Sequence, residues 1–134
     1  MSETTMLWTG RILSGLFVLF MLFASAAPKL LGLPIVDETM TALGWPTHFS
    51  LMIGIIEVAL VVLYLIPRTS VLGAVLTMAL LGGAMATHIR VGSPLFSHTL
   101  FSIYLGLIMW GGLWLRDPAL RALFPIRTTS DSYR

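Results

Sequence analysis

Residues 49–66 read FSLMIGIIEVALVVLYLI, an unbroken apolar run in which Glu57 is the single charged side chain. A hydrocarbon layer about 30 Å thick is crossed by about 20 helical residues rising about 1.5 Å each, and this run has the matching length. It shows none of the strict alternation of a barrel strand, so its backbone hydrogen bonds must close within a helix. The pattern recurs on both sides: 12–28, 69–87 and 99–115 contain no Asp, Glu, Lys or Arg. Over all 134 residues, 57% are hydrophobic and 10% charged, with a mean hydropathy of +0.91. Soluble domains carry about a quarter charged residues, and this chain does not fit that balance. The expected fold is an all-α membrane protein, a four-transmembrane-helix bundle occupying 1–134 as a single domain.

The prolines at 28, 34, 46, 67, 94, 118 and 125 mark the span ends, because a residue without an N–H and with a fixed φ does least damage there. The spans are read as about 8–28, 48–66, 70–89 and 98–115, followed by a short tail over 119–134. Four spans leave both ends on one side. Arg11, Arg68, Arg116, Arg121, Arg127 and Arg134 share that side against Lys29 and Arg90 on the other. The positive-inside rule then makes both termini cytoplasmic in a multi-pass protein of the inner cell membrane. Trp8, Tyr64, Trp110 and Trp114 fall toward the inner interface and Trp45 at the outer one, as aromatic belts require.

The connection 29–47 is long enough to hold a short amphipathic helix on the outer surface, whereas Ile66-Pro67-Arg68-Thr69 is a tight inner turn. Arg11, the apolar run and Ala24-Ser25-Ala26 imitate a signal peptide, but the run exceeds the usual h-region and flows into Lys29 without a break, so it is read as the first membrane helix. Gly10/Ser14, Gly82/Ala86, Gly82-Gly83 and Gly111-Gly112 supply the small residues that let helices approach closely in lipid, within the bundle or between two copies.

Several functions are set aside by composition. There is no Cys, hence no disulfide, no thiolate-bound metal cluster and no dithiol chemistry within the chain. The net charge is only +2 with basic residues scattered singly, so nucleic-acid binding has no support. No H-E-x-x-H, phosphate-cradling Gly-rich loop or Gly-x-Ser-x-Gly occurs, and the Met residues are spread over different spans as flexible core filler; no metal site is expected.

What remains is a polar constellation. An ionised carboxylate near the bilayer centre is costly, so Glu57 must face inward and find a partner or stay protonated. It lies about 14 Å along the helix from His48 at the outer end. Lys29 ends the first span on that side, His88 and Arg90 end the third, and His98 begins the fourth. Glu57 and His88 are the candidate catalytic residues; Lys29, Arg90, His98 and His48 are the candidate substrate-binding ones. His88 and Arg90 are two positions apart, about 200° round a helix, so one of them faces inward. Lys29 reaching to the outer boundary and Arg90 holding a lipid phosphate are the plainer uses of those cations. At the inner half, snorkelling and topology account for the cations.

SAAPKLLG at 25–32, Glu57 in its apolar span, LYLIPRT at 63–69, GGAMATHIR at 82–90 and GGLWLRDP at 111–118 together resemble the DoxX-like membrane proteins over almost the whole chain. That resemblance implies a compact bundle of four membrane helices, with Lys29, Glu57, His88 and Arg90 as the matching site positions. The family takes its name from a small membrane subunit associated with an archaeal quinol oxidase and thiosulfate:quinone oxidoreductase. Some relatives act beside thiol-redox partners, a role that a chain without Cys does not inherit. The resemblance implies a redox-associated subunit binding a quinone or similar lipophile in an outward-facing polar cavity, with no tightly bound cofactor, Glu57 relaying a proton and His88 or Lys29 bonding a carbonyl. Two alternatives stand beside it: a cofactor-free enzyme using Glu57 as general acid/base on a small lipophilic substrate, and a carrier or assembly subunit. The expected partners are the lipid bilayer and a lipophilic small molecule, with a second copy or a redox enzyme as further company.

Overall fold

The computed structural model describes residues 1–128, so Arg134 and the end of the 119–134 tail lie outside the described residues. Among the described residues there are helices and no strand. Four helices are long and apolar enough to cross a membrane: α1 (Glu3–Leu31), α3 (Thr47–Leu65), α4 (Ser70–Val91) and α5 (Leu95–Arg116). Between the first two lies α2 (Pro34–Ala42), the short helix expected in the 29–47 connection, and α6 (Pro118–Leu123) follows α5.

The first helix is longer than its apolar core at both ends. At its start Ser2 caps it, with the hydroxyl accepting from the Thr5 N–H. At the other end Pro28 does not stop it, contrary to the expectation that every proline marks a span end. Residues 20–26 widen into a π-helical stretch in which the Ala27 N–H bonds back to the Leu22 carbonyl. A proline in a regular helix collides with the carbonyl four residues earlier and leaves that carbonyl unpaired. The wider turn moves the carbonyl row off that register, and the helix continues for one more turn. It ends where Gly32 adopts φ +65° and Leu33 N–H reaches the Pro28 carbonyl, a left-handed cap that glycine takes without strain. Gly92 closes α4 in the same way, with φ +70° and the Ser93 N–H on the His88 carbonyl.

The exterior is apolar, with Leu51, Ile55, Val62, Leu72, Ile89 and Leu107 among the large exposed side chains. In lipid such a surface gives no drive to association, so the helices are held by close packing and internal polar bonds. Phe17, Met21, Val61, Tyr64, Met109 and Leu113 form the buried centre, with the Phe17 and Tyr64 rings edge-to-face at 5.0 Å. Glycines set the closest approaches. A Cβ on Gly112 would stand 2.6 Å from Ser14 Oγ and 3.0 Å from the Gly10 carbonyl, and one on Gly73 would stand 2.6 Å from the Tyr64 nitrogen. By contrast, a Cβ on Gly82 or Gly83 would meet no side chain and no neighbouring helix within 4 Å. The expected close-packing role holds for Gly10 and Ser14 and fails for this pair within the chain, because α4 turns that face outward.

At the end of the bundle that carries the termini, a directed chain of hydrogen bonds joins three spans. Tyr64, fully buried at 0% exposure, donates its phenol proton to the Met109 carbonyl at 2.8 Å. Its oxygen lies 2.8 Å from Ser14 Oγ, and Ser14 Oγ accepts from Arg116 Nε at 3.1 Å. With the phenol proton and the Nε proton both assigned, the Ser14 proton points to Tyr64. The chain therefore runs from Arg116 through Ser14 and Tyr64 to Met109. Snorkelling alone does not describe Arg116, nor Arg121, whose Nη1 donates to the Trp114 and Leu115 carbonyls at 3.0 and 2.8 Å.

Gly112→Ala places a methyl group against Ser14 and strains this junction. Thermal unfolding in detergent is expected to show a loss of about 1–3 kcal/mol, typical of overpacking, whereas Gly82→Ala leaves the midpoint unchanged.

Candidate functional site

Glu57 lies on the inward face of α3 at 5% exposure. Opposite it, the π-helical stretch of α1 presents Ser25 and the turn beyond it presents Lys29. Gly54, one turn before Glu57, lets them close in: a Cβ there would be 3.0 Å from Lys29 Cβ and 3.4 Å from the Ala26 carbonyl. The Lys29 ammonium donates to Glu57 Oε1 at 3.0 Å and Oε2 at 3.3 Å, to Ser25 Oγ at 2.9 Å and to the Ser25 carbonyl at 3.1 Å. Ser25 Oγ in turn donates to Glu57 Oε1 at 2.8 Å.

Each charge in this cluster is compensated and each polar hydrogen has a destination. That is the condition under which a buried ion pair survives in a low-dielectric interior. The structure thus answers the carboxylate's need for a partner with Lys29. It adds Ser25, which in the sequence appears in a mock cleavage site and at the head of the 25–32 motif but not among the candidate site residues. A signal for it exists: Ser25 precedes Lys29 by four positions and shares its helix face.

The other candidate residues lie at the same end of the bundle but apart from Glu57. No hydrogen bond or ion pair among the described residues links Glu57 to His48, His88, Arg90 or His98. His48 is exposed and lies against Phe49, the rings tilted by 42° with centroids 4.2 Å apart. Arg90 reaches from α4 to α2, where its Nη2 donates to the Leu43 carbonyl at 2.6 Å. Trp45 Nε1 donates to Thr87 Oγ1 at 3.3 Å, a second tie between the α2 segment and α4. This fastening uses one of the Arg90 donors. His88, two positions earlier, is half-buried where Arg90 is exposed.

His88 and His98 face each other with ring centroids 5.8 Å apart at 66°. Each engages a hydroxyl through Nδ1: His88 with Ser93 Oγ at 2.9 Å, His98 with Ser97 Oγ at 2.7 Å. No described residue bonds to either Nε2. The rings border a cavity of about 370 Å³ roofed by Thr39 and Leu43 of the α2 segment and walled by Ser93 and Pro94. Glu57 and Lys29 do not line it. A smaller cavity of about 270 Å³, between α1 and α5, is lined by Leu16, Phe17, Phe20, Phe101, Tyr104 and Ile108 among others; the Tyr104 phenol is the one polar side-chain group in an otherwise apolar lining. Among the described residues no group of three or more His, Asp or Glu could hold a metal ion.

The model of the DoxX-like family matches residues 12–112, a stretch containing Lys29, Glu57, His88, Arg90 and His98. No curated protein and no solved structure matches the chain.

Removing one member of the buried pair strands the other. Lys29→Met and Glu57→Leu are each expected to lose about 3 kcal/mol against chemical unfolding in micelles, while the double variant recovers most of that loss. Equal additive losses would mean that the pair contributes no coupling.

Proposed function

This chain belongs to the DoxX-like family of membrane proteins, and on that premise we propose that it is a redox-associated membrane subunit. It holds the head of a quinone or a similar carbonyl-bearing lipophile in the cavity beneath α2. In this reading the termini are cytoplasmic, the cavity opens on the outer side of the inner membrane, and the bilayer supplies the ligand.

The observation that carries the reading is the imidazole pair. An imidazole bonded through Nδ1 to a hydroxyl offers at Nε2 an N–H in one tautomer and a lone pair in the other. The same ring therefore serves the carbonyl of an oxidised head and the hydroxyl of a reduced one, and the Ser93 and Ser97 hydroxyls reverse with it. Two such rings 5.8 Å apart border a space of about 370 Å³, toward the small end of ligand sites. The Thr39 side of the roof is polar and the Leu43 and Pro94 sides are apolar, which suits a ring with oxygen substituents.

Glu57 and Lys29 serve this site from a distance. Their closed cluster fixes α1 against α3. The acid/base role for Glu57 would require the ammonium and the Ser25 hydroxyl to leave its oxygens, so an enzyme built on Glu57 is less well supported than a binding subunit.

The test is titration of decylubiquinone into the purified protein in neutral nanodiscs, read by quenching of tryptophan fluorescence. His88→Ala and His98→Ala are each expected to weaken binding about tenfold, the equivalent of one well-made hydrogen bond. Unaltered affinity in both variants refutes the site. Absence of quinone binding together with a co-purifying enzyme subunit favours the assembly role instead.

A further inference from the structure

The end of the bundle that carries the termini holds a cation whose position is fixed while most of its hydrogen-bonding capacity is unspent. We propose that the Arg116 guanidinium is a binding site for a phosphate oxyanion, supplied by an anionic phospholipid of the leaflet at that end.

Arg116 is held twice. Its Nε donates to Ser14 Oγ at 3.1 Å, and its Cζ lies 5.4 Å from the centroid of the Tyr64 ring. Ser14 and Tyr64 are buried, and their mutual bond of 2.8 Å keeps both in place. Orienting an arginine normally costs side-chain entropy when a ligand binds; here the fold has already restricted the plane of the guanidinium. Its Nη1 and Nη2 hydrogen-bond to no described residue. They are not sealed off either, since no buried side-chain nitrogen or oxygen among the described residues lacks a partner. The fork thus keeps some exposure on a half-buried residue, the last of α5, the level at which headgroups meet a membrane helix.

Lys29, Arg68, Arg90, Arg121 and Arg11 differ: Arg68, exposed in the turn between α3 and α4, has no hydrogen bond to a described residue that would fix its guanidinium. Lys29 is committed to Glu57 and Ser25, Arg90 gives Nη2, half of its fork, to the Leu43 carbonyl, and Arg121 gives Nη1 to the Trp114 and Leu115 carbonyls. Arg11 rests over the Trp8 ring at 5.0 Å on the exposed face.

The surroundings offset, in part, the two features that would repel an anion. The C-terminal carbonyls of α5 carry the negative end of the helix dipole, and Arg121 covers two of them. The adjacent Asp117 turns Oδ1 toward the N–H groups of Ala119 and Leu120 as the cap of α6, at 3.0 and 3.2 Å. A planar fork with paired donors matches two oxygens of a phosphate, which a lysine does not reproduce. A phosphatidylcholine phosphate is partly satisfied by its own ammonium, so the preferred lipid is an anionic one such as phosphatidylglycerol.

The experiment measures bound lipid by native mass spectrometry on protein released from nanodiscs of phosphatidylcholine mixed with phosphatidylglycerol, with and without inorganic phosphate. The wild type is expected to retain phosphatidylglycerol in preference to phosphatidylcholine. Arg116→Gln is expected to lower that occupancy about fivefold, the scale for one cation at an anionic surface. Ser14→Ala keeps the charge but releases the guanidinium, and is expected to lower occupancy by a smaller factor. If Arg116→Gln does not fold, Arg116→Lys decides the matter: it retains the charge, loses the fork, and should lose most of the preference. Release of the lipid by inorganic phosphate supports the oxyanion site while making soluble phosphate its source. Equal lipid occupancy in the wild type, Arg116→Lys and Ser14→Ala overturns the proposal.

Discussion

A carboxylate inside an apolar helix has to be matched, and the pairing of Glu57 with Lys29 is the constraint on which the bundle depends. Desolvating two opposite charges is repaid only when the geometry is close and the remaining donors and acceptors are filled. Both conditions are met through Ser25, and they in turn dictate the local backbone. Ser25 sits in the π-helical stretch of α1, Lys29 follows one turn later past Pro28, and Gly54 makes room on α3. The irregularity in α1 and the glycine in α3 belong to the same requirement: two helices must approach until an ammonium at 3.0 Å can reach a carboxylate.

The polar groups are partitioned between the two ends of the bundle. Toward the connections 32–46 and 92–94, the ion pair joins α1 to α3, and Arg90 and Trp45 tie the α2 segment to α4. Toward the termini, the run from Arg116 through Ser14 and Tyr64 to Met109 joins α5, α1 and α3. Between them the packing is apolar, centred on Phe17, Met21 and Met109. Because apolar surfaces gain little from meeting each other in lipid, these bonds and the glycine contacts supply the specificity that a hydrophobic core supplies in water. With the helices so fixed, the imidazoles of His88 and His98 stand under α2 with their Nε2 atoms uncommitted, and the guanidinium of Arg116 stands at the opposite end with its fork uncommitted.

Much of this is legible in the amino-acid order. Charge-free runs of span length give four membrane helices, the interrupted 29–47 segment gives α2, and an isolated Glu57 demands a partner or a proton, with Lys29 one of several candidates at that end. What escapes the sequence does so for physical reasons. Pro28 would end a regular α-helix; only the wider turn before it lets the chain continue, and seven apolar and small residues carry no mark of that turn. Gly82 and Ala86 have the spacing of a packing face, but spacing does not say which way a face turns. Arg116 and Tyr64 have the positions of belt residues, since a contact over 102 positions, from Ser14 to Arg116, leaves no local signature. The split between the Glu57 cluster and the histidine cavity is likewise invisible, because residues at one end of a bundle need not touch.

Whether Glu57 is ionised and matched by Lys29 within the membrane is tested most directly by isotope-edited infrared spectroscopy of the protein in lipid bilayers at neutral pH. With Glu carboxyls labelled and Glu57→Gln as the subtraction reference, an ion pair predicts that the Glu57 signal is the antisymmetric and symmetric pair of a carboxylate. A protonated carbonyl stretch in its place would contradict it.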